Sequence, residues 1–150
     1  MPGGAIRLSF ALRYYLHRVR QDAAWGWAMV NISAGGPIFG EEAACYAVEA
    51  IEEGLVTEQF AVPNVAIGFD LVMGSALSAM ATLLRSEQAE EYPELMIAQI
   101  FRGMGVSETM IEKCTLPPLP DPFEFIAAHG MGSEHDLIDA SPFLAPSQRD

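Results

Sequence analysis

Between Ile6 and Val19 the apolar residues Leu8, Leu12, Tyr15 and Val19 return at three- and four-residue intervals, and Ser9, Arg13, His17 and Arg20 fall on another face. That period predicts an amphipathic helix, with His17 on its polar, solvent-facing side. Asp22 stands where a cap begins a second, shorter helix through Trp25, Trp27, Met29, Val30 and Ile32, which the run Gly35-Gly36-Pro37 must end. A third helix is predicted over Glu41 to Glu53: Ala44, Val48, Ile51 and Leu55 form one stripe, Glu42, Glu49 and Glu53 another, and Gly54 takes the left-handed position that stops it. Val56 to Val62 alternates weakly, but an isolated strand would have no partner, so this piece reads as a loop that sets Phe60 in the core.

From Asn64 or Pro63 to about Arg85 the apolar residues surround the whole circumference instead of forming a stripe, so this longest helix must be covered on two sides. One side carries Phe69, Met73, Met80, Leu83 and Leu84; another carries the small residues Gly74, Ser78 and Ala81, over which a second helix can approach closely. A covering helix is predicted from Glu94 to Arg102, opened by Pro93 and closed by Gly103-Met104-Gly105, and Ser107 caps a last one to Cys114. Prolines 117, 118, 120 and 122 then forbid regular helix, which leaves residues 121–150 as a largely irregular tail with at most one turn at Phe123 to Ala128. The fold class expected is all-α, a bundle of about six helices over residues 1–120.

Charge narrows the function. The chain of 150 residues holds 20 Asp and Glu against 8 Lys and Arg, a net charge of -12, and such a surface repels a phosphate backbone, so nucleic acid is not expected as a direct partner. Arg7, Arg13, Arg18 and Arg20 are the exception, clustered on the first helix without a carboxylate among them. Cys45 and Cys114 are too few for a disulfide scaffold and are expected as free thiols in a reducing compartment. The opening Met1-Pro-Gly-Gly lacks the pattern of a secretion signal, so the expected location is cytoplasmic. Val65 to Leu84 has the length of a bilayer span, but Asp70 within it and the flanking Glu87, Glu90 and Glu91 argue for a core helix instead.

No phosphate-binding glycine loop, nucleophile elbow or triad-like set falls on neighbouring elements, so neither an enzyme nor a cofactor is expected. His129 and His135 with Glu134 and Asp136 lie in the tail without a geometry that would set metal ligands, and read as solvated. Trp25, Trp27, Phe39, Phe60, Phe69 and Met73 border glycine-rich breaks; side chains of this kind build core and also line pockets for apolar ligands. Asp70, in an apolar helix, reads either as a buried carboxylate paired with a helix end or with Arg102, or as a polar anchor inside that pocket.

Taken in order, Arg7-Leu8, Arg13-Tyr14-Tyr15-Leu16, Asp22-Ala23-Ala24-Trp25-Gly26, the Glu-rich helix ending Gly54-Leu55, Pro63-Asn64-Val65, Asp70-Leu71-Val72-Met73-Gly74, Ile100 to Val106 and Leu116-Pro117-Pro118-Leu119-Pro120 resemble the effector-binding half of a TetR-type transcription regulator over about residues 5–120. The resemblance implies a small-molecule pocket among the first four helices, with Trp25, Trp27, Phe39, Phe60, Phe69, Asp70 and Met73 as its candidate lining. It also implies a homodimer formed by two helices, through Gly74, Ser78 and Ala81 on one and Ile97 and Phe101 on the other. Family members carry a helix-turn-helix head before this domain, whereas only Met1-Pro-Gly-Gly precedes the first residues of the resemblance here. The chain is therefore expected to be either a piece of a longer regulator or a head-less relative, with a stand-alone helical binding protein as the alternative from another class.

Overall fold

The computed structural model describes residues 3–121, and their order is α1 (Gly4–Gln21), α2 (Ala23–Ile32), α3 (Glu41–Val56), α4 (Val65–Arg85), α5 (Tyr92–Gly103) and α6 (Glu108–Thr115). The region is all-α: the elements among the described residues are helices joined by turns and loops. The expected turn at 123–128 and the group His129, Glu134, His135 and Asp136 lie outside the described residues.

Three of the predicted caps form. The Asp22 carboxylate accepts from the Trp25 N–H at 3.0 Å, Asn64 Oδ1 accepts from the Ile67 N–H at 2.9 Å, and Ser107 Oγ accepts from the Met110 N–H at 3.2 Å, each satisfying a donor that the first turn leaves without a helical partner. At the other end of α5, Gly105 adopts φ of 77° and the Val106 N–H reaches back to the Phe101 carbonyl at 3.0 Å. That left-handed residue and six-to-one bond are the termination the Gly-Met-Gly run predicts.

Gly54 works differently from expectation. It lies inside α3, which continues to Val56, and a Cβ on it would sit 2.2 Å from the Phe60 ring. The glycine is needed for close approach and not for a turn; the left-handed residue beyond the helix is Glu58, at φ of 60°. Phe60 is thereby seated in the core as predicted, edge-on to Phe101 with ring centroids 5.6 Å apart, while the Ala61 N–H donates to the Met104 carbonyl at 2.8 Å. Gly54→Ala should cost about 1–3 kcal/mol through overpacking against that ring, despite alanine's better helix propensity. Thermal unfolding measures it; an unchanged or raised melting temperature would show that Phe60 yields.

α1 touches all five other described helices. The reason is that it is buried on nearly every side: Leu8, Leu12, Leu16 and Val19 are in the core, and so are Ser9, Arg13 and Arg18. α2, α3 and α5 each pack on both α1 and α4, and α6 packs on α1 and α5. α4 is the one described helix long and apolar enough to cross a membrane. Its Gly68, Val72, Met73, Ala76, Ala79 and Met80 are buried in the protein, the pattern of a core helix with one uncovered side.

Candidate functional site

The polar face of α1 is spent inside the protomer. Arg7 pairs with Glu53 of α3, and the Arg20 guanidinium donates to the carbonyls of Gln88, Ala89 and Glu90 in the α4–α5 connection. Arg13 donates to the carbonyls of Cys114, at 3.3 Å, and Pro117, at 2.8 Å. Burial pulls its guanidinium down from the ordinary value, with the Glu94 carboxylate opposing the shift. His17 is half-buried instead of solvated: its Nε2 lies 2.5 and 2.9 Å from the two Glu94 oxygens, so it ties α1 to the first turn of α5. The cluster of arginines that reads as a basic surface in the sequence is therefore largely internal, because α1 is the central helix and its polar side faces α3, α5 and α6.

Arg18, only 2% exposed, lies over the Trp25 ring with its guanidinium carbon 4.1 Å from the centroid. Trp25 meets Tyr15 edge-on at 5.4 Å, and Tyr15 meets Phe39 edge-on at 5.2 Å. The guanidinium thus gains cation–π attraction where solvation is lost, and the ring edges point their positive rims at neighbouring faces. Burial, with Glu42 adding to it, pushes the Tyr15 phenol well above its ordinary range, so it stays protonated. This run of Arg18, Trp25, Tyr15 and Phe39 joins α1, α2 and the loop before α3.

Phe39 enters the run on a strained backbone. Its φ is 63°, followed by 94° at Gly40, and a bulky residue in the left-handed region costs on the order of 1–3 kcal/mol unless its surroundings hold it there. Two contacts do: the buried ring against Tyr15, and the Phe39 N–H donating at 2.9 Å to Ser33 Oγ, which itself donates to the Met29 carbonyl at 2.7 Å.

The expected pocket residues divide. Trp25 and Phe39 come together through Tyr15, but Phe60 packs with Phe101 instead, Met73 is in the core and Phe69 is partly buried against it. Trp27 is 41% exposed. Gly26 seats α2 against Val19 and Leu84, which turns Trp25 inward and its neighbour but one away. Asp70 is exposed as well, so it is neither a buried pair nor an anchor inside the protomer, and Arg102 pairs instead with Glu108 at 2.6 Å. Tyr15 and Arg18 are the members that sequence reasoning missed; the signal was that α1 carries arginine and no lysine, the cation suited to stacked and buried positions.

On the far side, α4 carries a stripe that is partly to fully exposed: Ile67, Leu71, Gly74, Ser78 and Ala81 lie at helical spacing, with Ile67 48% exposed and open space around the Cβ position of Gly74. Leu71 reaches 3.7 Å from the Cβ position of Gly103, so the outward sides of α4 and α5 adjoin. On α5 that side carries Leu95, 62% exposed, and Gln99. Ile97 and Phe101, expected there, are wholly buried within the protomer, because α5 turns them toward α1 and α4.

The family model of the tetracyclin repressor-like C-terminal domain matches residues 5–113. The chain belongs to this family. The tetracyclin repressor-like match takes in α1 but for its first residue, α2 to α5 whole and most of α6. No curated protein and no solved structure matches the chain. Members of the tetracyclin repressor-like family serve transcription regulation, and their C-terminal domains typically dimerise and bind small ligands.

Proposed function

We propose that the chain senses a small apolar molecule and pairs with a second copy of itself, as the effector-binding and dimerisation domain of a transcriptional regulator. The observation that carries this reading is the division of one bundle into two unlike regions: a buried aromatic run on α1, α2 and the loop before α3, and an open stripe of small residues on α4 beside the exposed side of α5. A ligand acts on such a domain only through its different affinity for two packings of the same helices. α1 suits that role, since Tyr15 and Arg18 belong to the aromatic run and His17 and Arg20 hold α5 and the loop before it. Contact with DNA is left to a helix-turn-helix outside this chain, in keeping with the internal use of the α1 arginines and the net charge of -12.

A thermal-shift screen of apolar compounds tests the sensing half. A ligand that binds only the folded state stabilises it by about 2.7 kcal/mol at one hundred times its dissociation constant, and Trp25, inside the run, should report it by fluorescence. Trp25→Phe should abolish most of the fluorescence response, and Trp27→Phe should leave it nearly intact. Compounds that shift the melting temperature equally after Tyr15→Ala and in the unaltered chain would place the ligand elsewhere.

A further inference from the structure

The loop from Ser33 to Gly40 has the parts of a gate. Gly35 and Gly36 have nothing within 4 Å of their Cβ positions, so the middle of the loop is not packed against the bundle. The helix before it, α2, buries a single residue, Gly26, and is otherwise half-buried or exposed. Against this loose setting Phe39 is driven inward, with Ile38 partly buried beside it: Phe39 is buried, at a φ that phenylalanine disfavours, and is kept there by its ring on Tyr15 and its N–H on Ser33 Oγ. Strain relieved on leaving, together with glycines that accept the new backbone path, makes a second position for this segment accessible.

We infer that Phe39 is a plug for the ligand site: in the empty protein its ring fills a ring-sized space against Tyr15, and a single-ring aromatic ligand takes that space by sending Phe39 and the loop outward. The inference rests on the sensing reading above and adds how the site is closed and what class of molecule opens it. The ligand's ring replaces the edge-to-face contact with Tyr15 that Phe39 gives up. Its apparent affinity is lowered by the fraction of protein that is closed.

The test uses the full chain with toluene as probe, and chymotrypsin as reporter of the Phe39–Gly40 bond. Saturating toluene should speed cleavage after Phe39 about tenfold while cleavage at other sites holds or slows, because the bond is reachable only with the plug out. Phe39→Ala should bind toluene at least about tenfold more tightly than the unaltered chain, with Phe39→Leu as an intermediate that keeps the core filled should the alanine variant fail to fold. Gly35→Ala with Gly36→Ala, which adds side chains only in open space, should reduce the toluene-dependent cleavage. Toluene that binds Phe39→Ala but leaves cleavage of the unaltered chain unchanged would make Phe39 an ordinary core residue and overturn the gate. So would toluene binding equally to both proteins. Either result leaves the sensing reading to the compound screen, which fails or succeeds without reference to Phe39.

Discussion

Gly74→Trp is expected to give a protein of 16.3 kDa by light scattering at concentrations where the unaltered chain runs at twice that mass. A Cβ at position 74 meets no atom within 4 Å, so a side chain there starts in open space and the change is expected to fall on whatever packs over α4. Small residues at 74, 78 and 81 let a second helix come close. An indole there forces it away and removes most of the contact area around it, so we expect the dimer to weaken by at least about a hundredfold, or roughly 2.7 kcal/mol. Thermal stability of the dilute protomer should change little. Ser78→Trp, on the same stripe, should behave alike; if both variants remain fully dimeric, the pairing surface is not this one.

Phe101→Ala should act in the opposite sense. Phe101 is wholly buried and meets Phe60 edge-on, so its loss opens a cavity at the place where α5 and the 57–62 loop meet, at a cost of about 3–5 kcal/mol. For a domain of this size that corresponds to a fall of very roughly 10–20 °C in melting temperature. The protein that remains folded should keep the mass of the unaltered chain. A variant that is stable but monomeric would return Phe101 to the interface and contradict its burial within the protomer.

These two substitutions mark where a sequence stops being informative about a helical bundle. Helical period and caps located the six helices of the described residues, because Asp22, Asn64, Ser107 and the Gly103–Gly105 run are local signals that need nothing from the rest of the chain. Which side of a helix faces inward is not local. α4 is apolar around its whole circumference, so the sequence reading puts Asp70 in the interior, and only the placement of the helices packed on α4, which are α1, α2, α3 and α5, decides that it is exposed. α5 poses the same question with Ile97 and Phe101 on one side and Leu95 on the other. Gly54 shows a second kind of ambiguity: ending a helix and admitting a neighbouring ring both demand the absence of a side chain, and α3 uses the glycine for the ring. The buried arginines and the positive φ of Phe39 depend on contacts brought together from distant segments, which no spacing rule encodes.

The way α1 finds its polar partners sets the order in which this domain can be made. The Ser9 hydroxyl lies within reach of the Cys114 carbonyl, Arg13 donates to Cys114 and Pro117, and Tyr14 donates to Pro120, so the first helix is completed by groups 101 to 106 residues further along the chain. Until those groups exist, burying α1 would leave the Arg13 guanidinium without the carbonyls it donates to, a substantial desolvation penalty. On a ribosome that extends the chain at about 5–20 residues per second, α1 is therefore expected to wait for α6, and the bundle to close after synthesis has passed Pro120. Non-local closure of this kind slows folding relative to bundles held by neighbouring helices. It also makes the domain all-or-none with respect to its C-terminal boundary: a chain cut before α6 loses the partners of its own first helix.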